Sequence, residues 1–244
     1  MRDSLAVYPP RIYLSTTVPR ALLQVGFLTY LGYYAGGSAG RSFAFVGACV
    51  HVTLVGTVVR GPDALLDDRL QGTLHRLELG IVSVSAVALA RWWVFIAEGV
   101  AEALLAAAVV GPLVGEGGTA LKLLVAAPLV LLVAITTTGL GLAVAALSLT
   151  RRADVLLTNL ASYVAVVACG VVAPVSALGP LDGAAHLLPL TNGLLAVRDV
   201  AAGKPWLADA GWEAAVGGTW LALAVTLLER QLRRIRRTGT AERL

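Results

Sequence analysis

Charge is what this sequence has little of. Only 14% of its 244 residues are charged against 57% hydrophobic, and its mean hydropathy is +0.80. That balance excludes a soluble globular domain and identifies an integral membrane protein. The two cysteines, Cys49 and Cys169, both fall within apolar runs, so no disulfide framework is expected. The first twenty residues carry Arg2, Arg11 and Arg20 and no apolar core, which argues against a cleaved signal. Catalytic signatures are missing as well. The chain has no Gly-x-Ser-x-Gly elbow, no His-Glu-x-x-His pair and no Gly-x-x-x-x-Gly-Lys-Ser/Thr phosphate loop. His51, His75 and His186 sit in three separate segments, so neither a shared metal site nor a bound cofactor is expected. The basic balance follows membrane topology rather than a nucleic-acid partner.

What is present is a series of apolar runs over about residues 21–36, 43–59, 86–110, 121–150, 155–173 and 212–228. They predict an all-α polytopic membrane protein with six transmembrane helices in a single domain. Residues 1–20, interrupted by Pro9, Pro10 and Pro19, read as an interfacial segment and not one continuous helix. Gly36 to Gly40 reads as a loop. Residues 174–211 contain Pro174, Pro180, Pro189 and Pro205 yet stay apolar, too broken for a span and too greasy for a solvated loop. Short helices re-entering one leaflet meet both constraints. Residues 229–244 form a basic tail. With six spans, every Lys and Arg except Arg41, Lys122, Arg198 and Lys204 falls on one side. That side is expected to be cytoplasmic and to hold both termini, which puts 174–211 outside the cell membrane.

Between the second and third runs lies a polar island, Pro62 to Glu78. On a helical wheel Leu66, Leu70, Leu74 and Leu77 share one stripe. Asp67, Asp68, Gln71, His75 and Glu78 lie opposite, with Arg69 and Arg76 at the margins. An amphipathic cytoplasmic helix over this stretch is expected. Pro62 is well placed to start it.

Taken together, these features resemble the membrane subunit of ABC type-2 exporters, an ABC transporter permease. Asp68-Arg69-Leu70-Gln71-Gly72-Thr73-Leu74-His75-Arg76-Leu77 looks like the family's acidic-x-x-x-Gly-Thr-Leu-Glu-x-Leu stretch, with His75 where Glu is usual. Leu188-Pro189-Leu190-Thr191 followed by Asn192 and Arg198 is similar to the family's Leu-Pro-Leu-Thr stretch before the last span. The resemblance implies a non-catalytic subunit that pairs with a second membrane subunit and rests on a separate ATPase carrying ATP and Mg. It implies that Asp67, Asp68, Arg69, Leu70, Gly72, Thr73, Leu74 and Leu77 couple to that ATPase. It implies external re-entrant helices that contain Pro189, Asn192 and Arg198. Cargo in the family runs from lipid-like and drug-like molecules to glycan-lipids. An intramembrane enzyme and a passive scaffold are the other classes that remain open.

Polar residues inside the spans are the remaining candidates. Glu98 and Glu102 lie four apart on one face of the third run, and a charge in hydrocarbon needs a partner or a wet cavity. His51, Asn159 and Tyr163 are further candidates, either for bonding between helices or for lining a path.

Overall fold

Apolar runs of bilayer length satisfy their backbone most cheaply as helix. In the computed structural model of the chain, which describes residues 10–73, 76–77, 79–149 and 154–238, no described residue lies in a strand. The elements are α1 (Pro10–Leu54), a π-helical turn (Val55–Arg60), α2 (Asp63–Leu70), α3 (Val84–Leu113), α4 (Gly117–Val125) and α5 (Ala127–Ser148). They are followed by α6 (Asp154–Ala168), a 3-10 stretch (Val175–Leu181), α7 (Asp182–Ala185), α8 (Thr191–Ala202) and α9 (Leu207–Thr238). Four helical stretches, 15–70, 84–113, 127–148 and 207–235, are long and apolar enough to cross a membrane.

The first of these is not one rod. Gly36 and Gly37 leave helical geometry, with φ of 63° at Gly37, and the chain reverses there. The distance from Gln24 Nε2 to His51 Nδ1 is 2.9 Å. Along straight helix their twenty-seven-residue separation would span about 40 Å. α1 is therefore two antiparallel arms, 10–35 and 38–54, joined by a turn tighter than the expected Gly36–Gly40 loop. The first arm also runs through Pro19, where the sequence predicts a break. A proline in a packed helix removes one backbone bond without ending the helix when neighbours hold it.

The second arm is the pillar of the bundle. Residues 44–58 are buried at every position, as a helix apolar on all sides must be. Bonding then widens to i→i+5, seen in Gly61 N–H donating to Gly56 O at 2.9 Å. Small residues let neighbours reach this pillar. A Cβ on Gly141 of α5 would collide with the Thr57 carbonyl, and one on Gly47 with the Val171 carbonyl. α5 and α9 meet in the same way, where Gly217 faces Thr136 and Gly139 faces the backbone of Leu221.

Three boundaries differ from the sequence reading. The run 121–150 is two helices, α4 and α5, separated at Ala126, with Pro128 in the first turn of α5, where proline is at home. α6 has only 15 residues, about 22 Å of helix. α9 instead has 32 residues, about 48 Å, and continues the expected sixth span straight into the basic tail as far as Thr238. Cys49 and Cys169 are buried free thiols.

The close approach at Gly141 gives a test. Gly141→Ala is expected to lower the stability of the purified chain by about 1–3 kcal/mol, because the backbone it meets cannot rotate away. Gly26→Ala has open space around its Cβ and is expected to be neutral or slightly stabilising. Thermal unfolding in detergent compares the two.

Candidate functional site

The polar island after the second arm is organised by where its helix stops. α2 ends at Leu70 instead of continuing to Glu78, because Gly72 adopts φ of 68°. Thr73 N–H donates to Asp68 O at 2.8 Å and Gly72 N–H to Arg69 O at 3.1 Å, the paired bonds of a Schellman stop. Thr73 Oγ1 adds a bond to Asp68 Oδ1 at 3.0 Å. The Gly-Thr pair thus terminates the helix. The expected stripe is corrected accordingly. Leu65 and Leu66 are the buried pair, whereas Leu70 is 82% exposed and Asp67 stands in the open. Leu77 packs half-buried against the same cluster as Leu65 and Leu66. Leu74, His75 and Glu78 lie outside the described residues.

α2 is fastened to the helix ends around it. Arg91 of α3 pairs with Asp68 and donates to Ala64 O at 3.0 Å. Arg69 donates to Ser148 O at the end of α5, also at 3.0 Å. Trp92, fully buried, donates its indole N–H to Thr57 O in the π-helical turn at 3.0 Å. Asp67 and Leu70 are left facing outward on an otherwise clamped helix.

One step deeper, the α3 carboxylates find cations. Glu102 Oε2 is 3.0 Å from Arg20 Nη2 on the first arm. Arg60, the last residue of the π-helical turn, lies 2.9 Å from Glu98 Oε1 and 3.6 Å from Glu102 Oε1. Arg20 also donates to Gln24 Oε1 at 3.2 Å, and Gln24 reaches His51. Two cations balance two anions across three helices. His51 is joined to this set, and it is 1% exposed. Asn159 and Tyr163 are not. Both lie on the exposed face of α6, where Asn159 donates only to its own helix at Val155 O, 2.8 Å away.

At the opposite end, α8 is held by a residue the sequence reading did not single out. Glu213 of α9 is 0% exposed. It accepts from Leu190 N–H at 2.8 Å, Gly193 N–H at 2.9 Å and the Thr136 hydroxyl at 2.5 Å. The first two are free donors at the start of α8, so the carboxylate caps that helix. The Leu-Pro-Leu-Thr stretch now has a physical meaning. Leu190 sits at φ 94°, a strained value for leucine, and Pro189 O meets the Cys169 thiol at 3.9 Å. Asn192 is buried and bonds His186 at both its side-chain oxygen, 2.6 Å, and its amide, 2.9 Å. Arg198 donates to Gly170 O at 2.8 Å and Phe43 O at 3.1 Å, and its guanidinium lies 3.4 Å from the Phe43 ring centroid. It thereby ties α8 to the end of α6 and the start of the second arm.

Arg20, Gln24, Arg60, Arg91 and Glu213 are thus the structural partners that sequence reasoning missed. An acid inside an apolar run was the available signal for Glu213. The i,i+4 spacing of Arg20 and Gln24 was the signal for that pair.

These features define a polytopic α-helical membrane protein with a clamped polar elbow at one end. The family profile described as ABC-2 type transporter matches residues 23–201, and the chain belongs to that family. It is the membrane subunit of an ABC transporter, a kind that works with an ABC ATPase subunit. No curated protein and no solved structure matches it.

Glu213→Ala is expected to orphan two buried N–H donors and cost about 2–5 kcal/mol. Limited proteolysis checks this, with earlier cleavage expected between residues 174 and 206 than in the wild type. Unchanged cleavage would remove Glu213 as the anchor.

Proposed function

We propose that this chain is one half of an ATP-driven exporter. Six spans fit the helices 10–35, 38–60, 84–113, 127–148, 154–168 and 207–238, with α2 and both termini on the cytoplasmic side. Residues 174–206 then lie on the external side as re-entrant helices held by Glu213 and Arg198. A second copy of the chain and a separate ATPase, carrying ATP and Mg, complete the machine. The cargo is a lipid-like, drug-like or glycan-lipid molecule of the cell membrane.

The observation that carries the reading is the state of α2. Its inner face is bonded to α3 and α5 through Arg91 and Arg69, while Leu70 and Asp67 have nothing covering them. A surface leucine on a clamped helix suits reception of force from a docked partner. The surface available for pairing two copies is the exposed apolar face of α6, at Leu156, Leu160 and Tyr163. Glu98 and Glu102 act as ties between helices, because Arg20 and Arg60 already neutralise them; a cationic cargo would have to displace both arginines.

The test uses the exposure of Leu70. Leu70→Asp leaves the isolated chain as stable as the wild type. It loses the burial of one leucine at the ATPase contact, about 1.5–3 kcal/mol, or ten- to a hundredfold in affinity. Co-purification with the ATPase should fall by that factor while membrane yield holds. Full retention of the ATPase would contradict the assignment. Native mass spectrometry should find two membrane chains per two ATPases, and one per two would overturn the paired arrangement.

A further inference from the structure

At the end of the bundle away from α2, a cleft of about 360 Å³ opens between the first arm of α1 and the α3–α4 turn. That volume falls within the range of small-molecule sites, about 300–1,000 Å³. Its polar wall is Thr29, Tyr30, Tyr33 and Arg41, and its apolar wall is Leu113 and Val114.

The chemistry of the polar wall is one-sided. Arg41 spends only one nitrogen internally, Nε donating to Glu116 Oε1 at 2.9 Å. Glu116 accepts two further bonds, from Ser42 Oγ at the same oxygen, 2.6 Å away, and from Thr119 Oγ1 at the other, 2.8 Å away. Burial pushes the Glu116 carboxyl up, but these three bonds and the Arg41 charge outweigh it and hold it below the ordinary carboxylate range. It is therefore ionised, and it is not among the residues that line the cleft. The Arg41 terminal nitrogens and the Tyr30 and Tyr33 hydroxyls donate to no other described residue. Gly115, at φ 78°, leaves room beside the guanidinium, which a Cβ there would approach at 3.6 Å. The cleft offers one cation and three hydroxyl groups, and no carboxylate lines it. Leu113 in its wall is 78% exposed, and Phe27, three residues before Tyr30 on the first arm, is 67% exposed.

We propose that this cleft binds a phosphate-bearing amphiphile, its headgroup on Arg41, Tyr30 and Tyr33 and its hydrocarbon along Phe27 and Leu113. Guanidinium geometry matches two phosphate oxygens, and tyrosine hydroxyls complete the shell. Aromatic rings at this level also suit the headgroup layer. The inference goes beyond the exporter reading and does not depend on the ATPase or on which side of the membrane is external.

Native mass spectrometry of the full chain tests it, with phosphatidylglycerol or phosphatidylcholine added at equal concentration. The wild type should retain one phosphatidylglycerol in preference to phosphatidylcholine. Arg41→Gln combined with Glu116→Gln removes the cation without stranding the acid, and retention should fall about tenfold or more. Tyr33→Phe touches neither partner of Glu116 and should reduce retention severalfold. Equal binding of the two lipids by wild type, or undiminished phosphatidylglycerol on the double variant, would overturn the proposal. Should the double variant lose its fold, undiminished binding by Tyr33→Phe would do so. With the ATPase present, lipid that stays bound through ATP turnover is a resident of the membrane, and lipid released only on turnover is cargo. Either result keeps the site.

Discussion

Charges inside a membrane bundle have to be neutralised on the spot, and the arrangement around Glu98 and Glu102 follows from that requirement. Two carboxylates on one face of α3 draw in Arg20 from the first arm and Arg60 from the end of the π-helical turn. Removing one member of a buried pair costs about 3–5 kcal/mol, since it leaves a charge without a partner. Arg20 keeps 37% of its side chain exposed, so the figure for its pair with Glu102 lies at the low end. Even so, three helices that pack through small residues share one electrostatic fastener. The second arm, buried throughout 44–58, can only sit where it does if its charged end is met there.

The same fastener stands two residues from α2. Arg60 is followed by Gly61 and Pro62, and α2 begins at Asp63. Short links join α2 to the bundle: through Arg91 and Trp92 to α3, through Arg69 to α5, and through Arg60 to the charge set. From there Arg20 leads to the first arm, whose outward face carries Phe27, Tyr30 and Tyr34. At the far end Glu213 and Arg198 hold α8 by bonds to backbone groups instead of ion pairs.

Much of this architecture was legible before any coordinates. The apolar runs are helical, four helical stretches are long and apolar enough to cross a membrane, and the Gly-Thr and Leu-Pro-Leu-Thr stretches mark helix boundaries. What the periodicity of leucines concealed was a stop signal. Gly72 reads as an ordinary member of an amphipathic wheel until its positive φ is known, and Leu65 enters the buried face because the helix is about two turns long and not nearly five. Continuous hydropathy likewise hid the break at Ala126, since α4 and α5 are both apolar and differ only in direction. Pro19 misled in the other sense, as proline rules from water overstate breakage in a packed bundle. The distribution of arginines speaks to sidedness and is silent on the pairing of Arg20 with Glu102 and of Arg60 with Glu98. Which acid meets which base depends on how helices rotate about their axes, and no single-sequence pattern encodes that.

The central claim is that the four charges act as one balanced unit, and a double-mutant cycle addresses it directly. Arg20→Gln and Glu102→Gln would be made singly and together, with thermal stability and ATPase stimulation measured for each complex. Each single variant strands a charge, whereas the double leaves Arg60 balanced by Glu98. The double variant is predicted to be no worse than the poorer single, with a coupling energy of about 1–3 kcal/mol. Losses that simply add, in both readouts, would mean that these charges do not work as a unit.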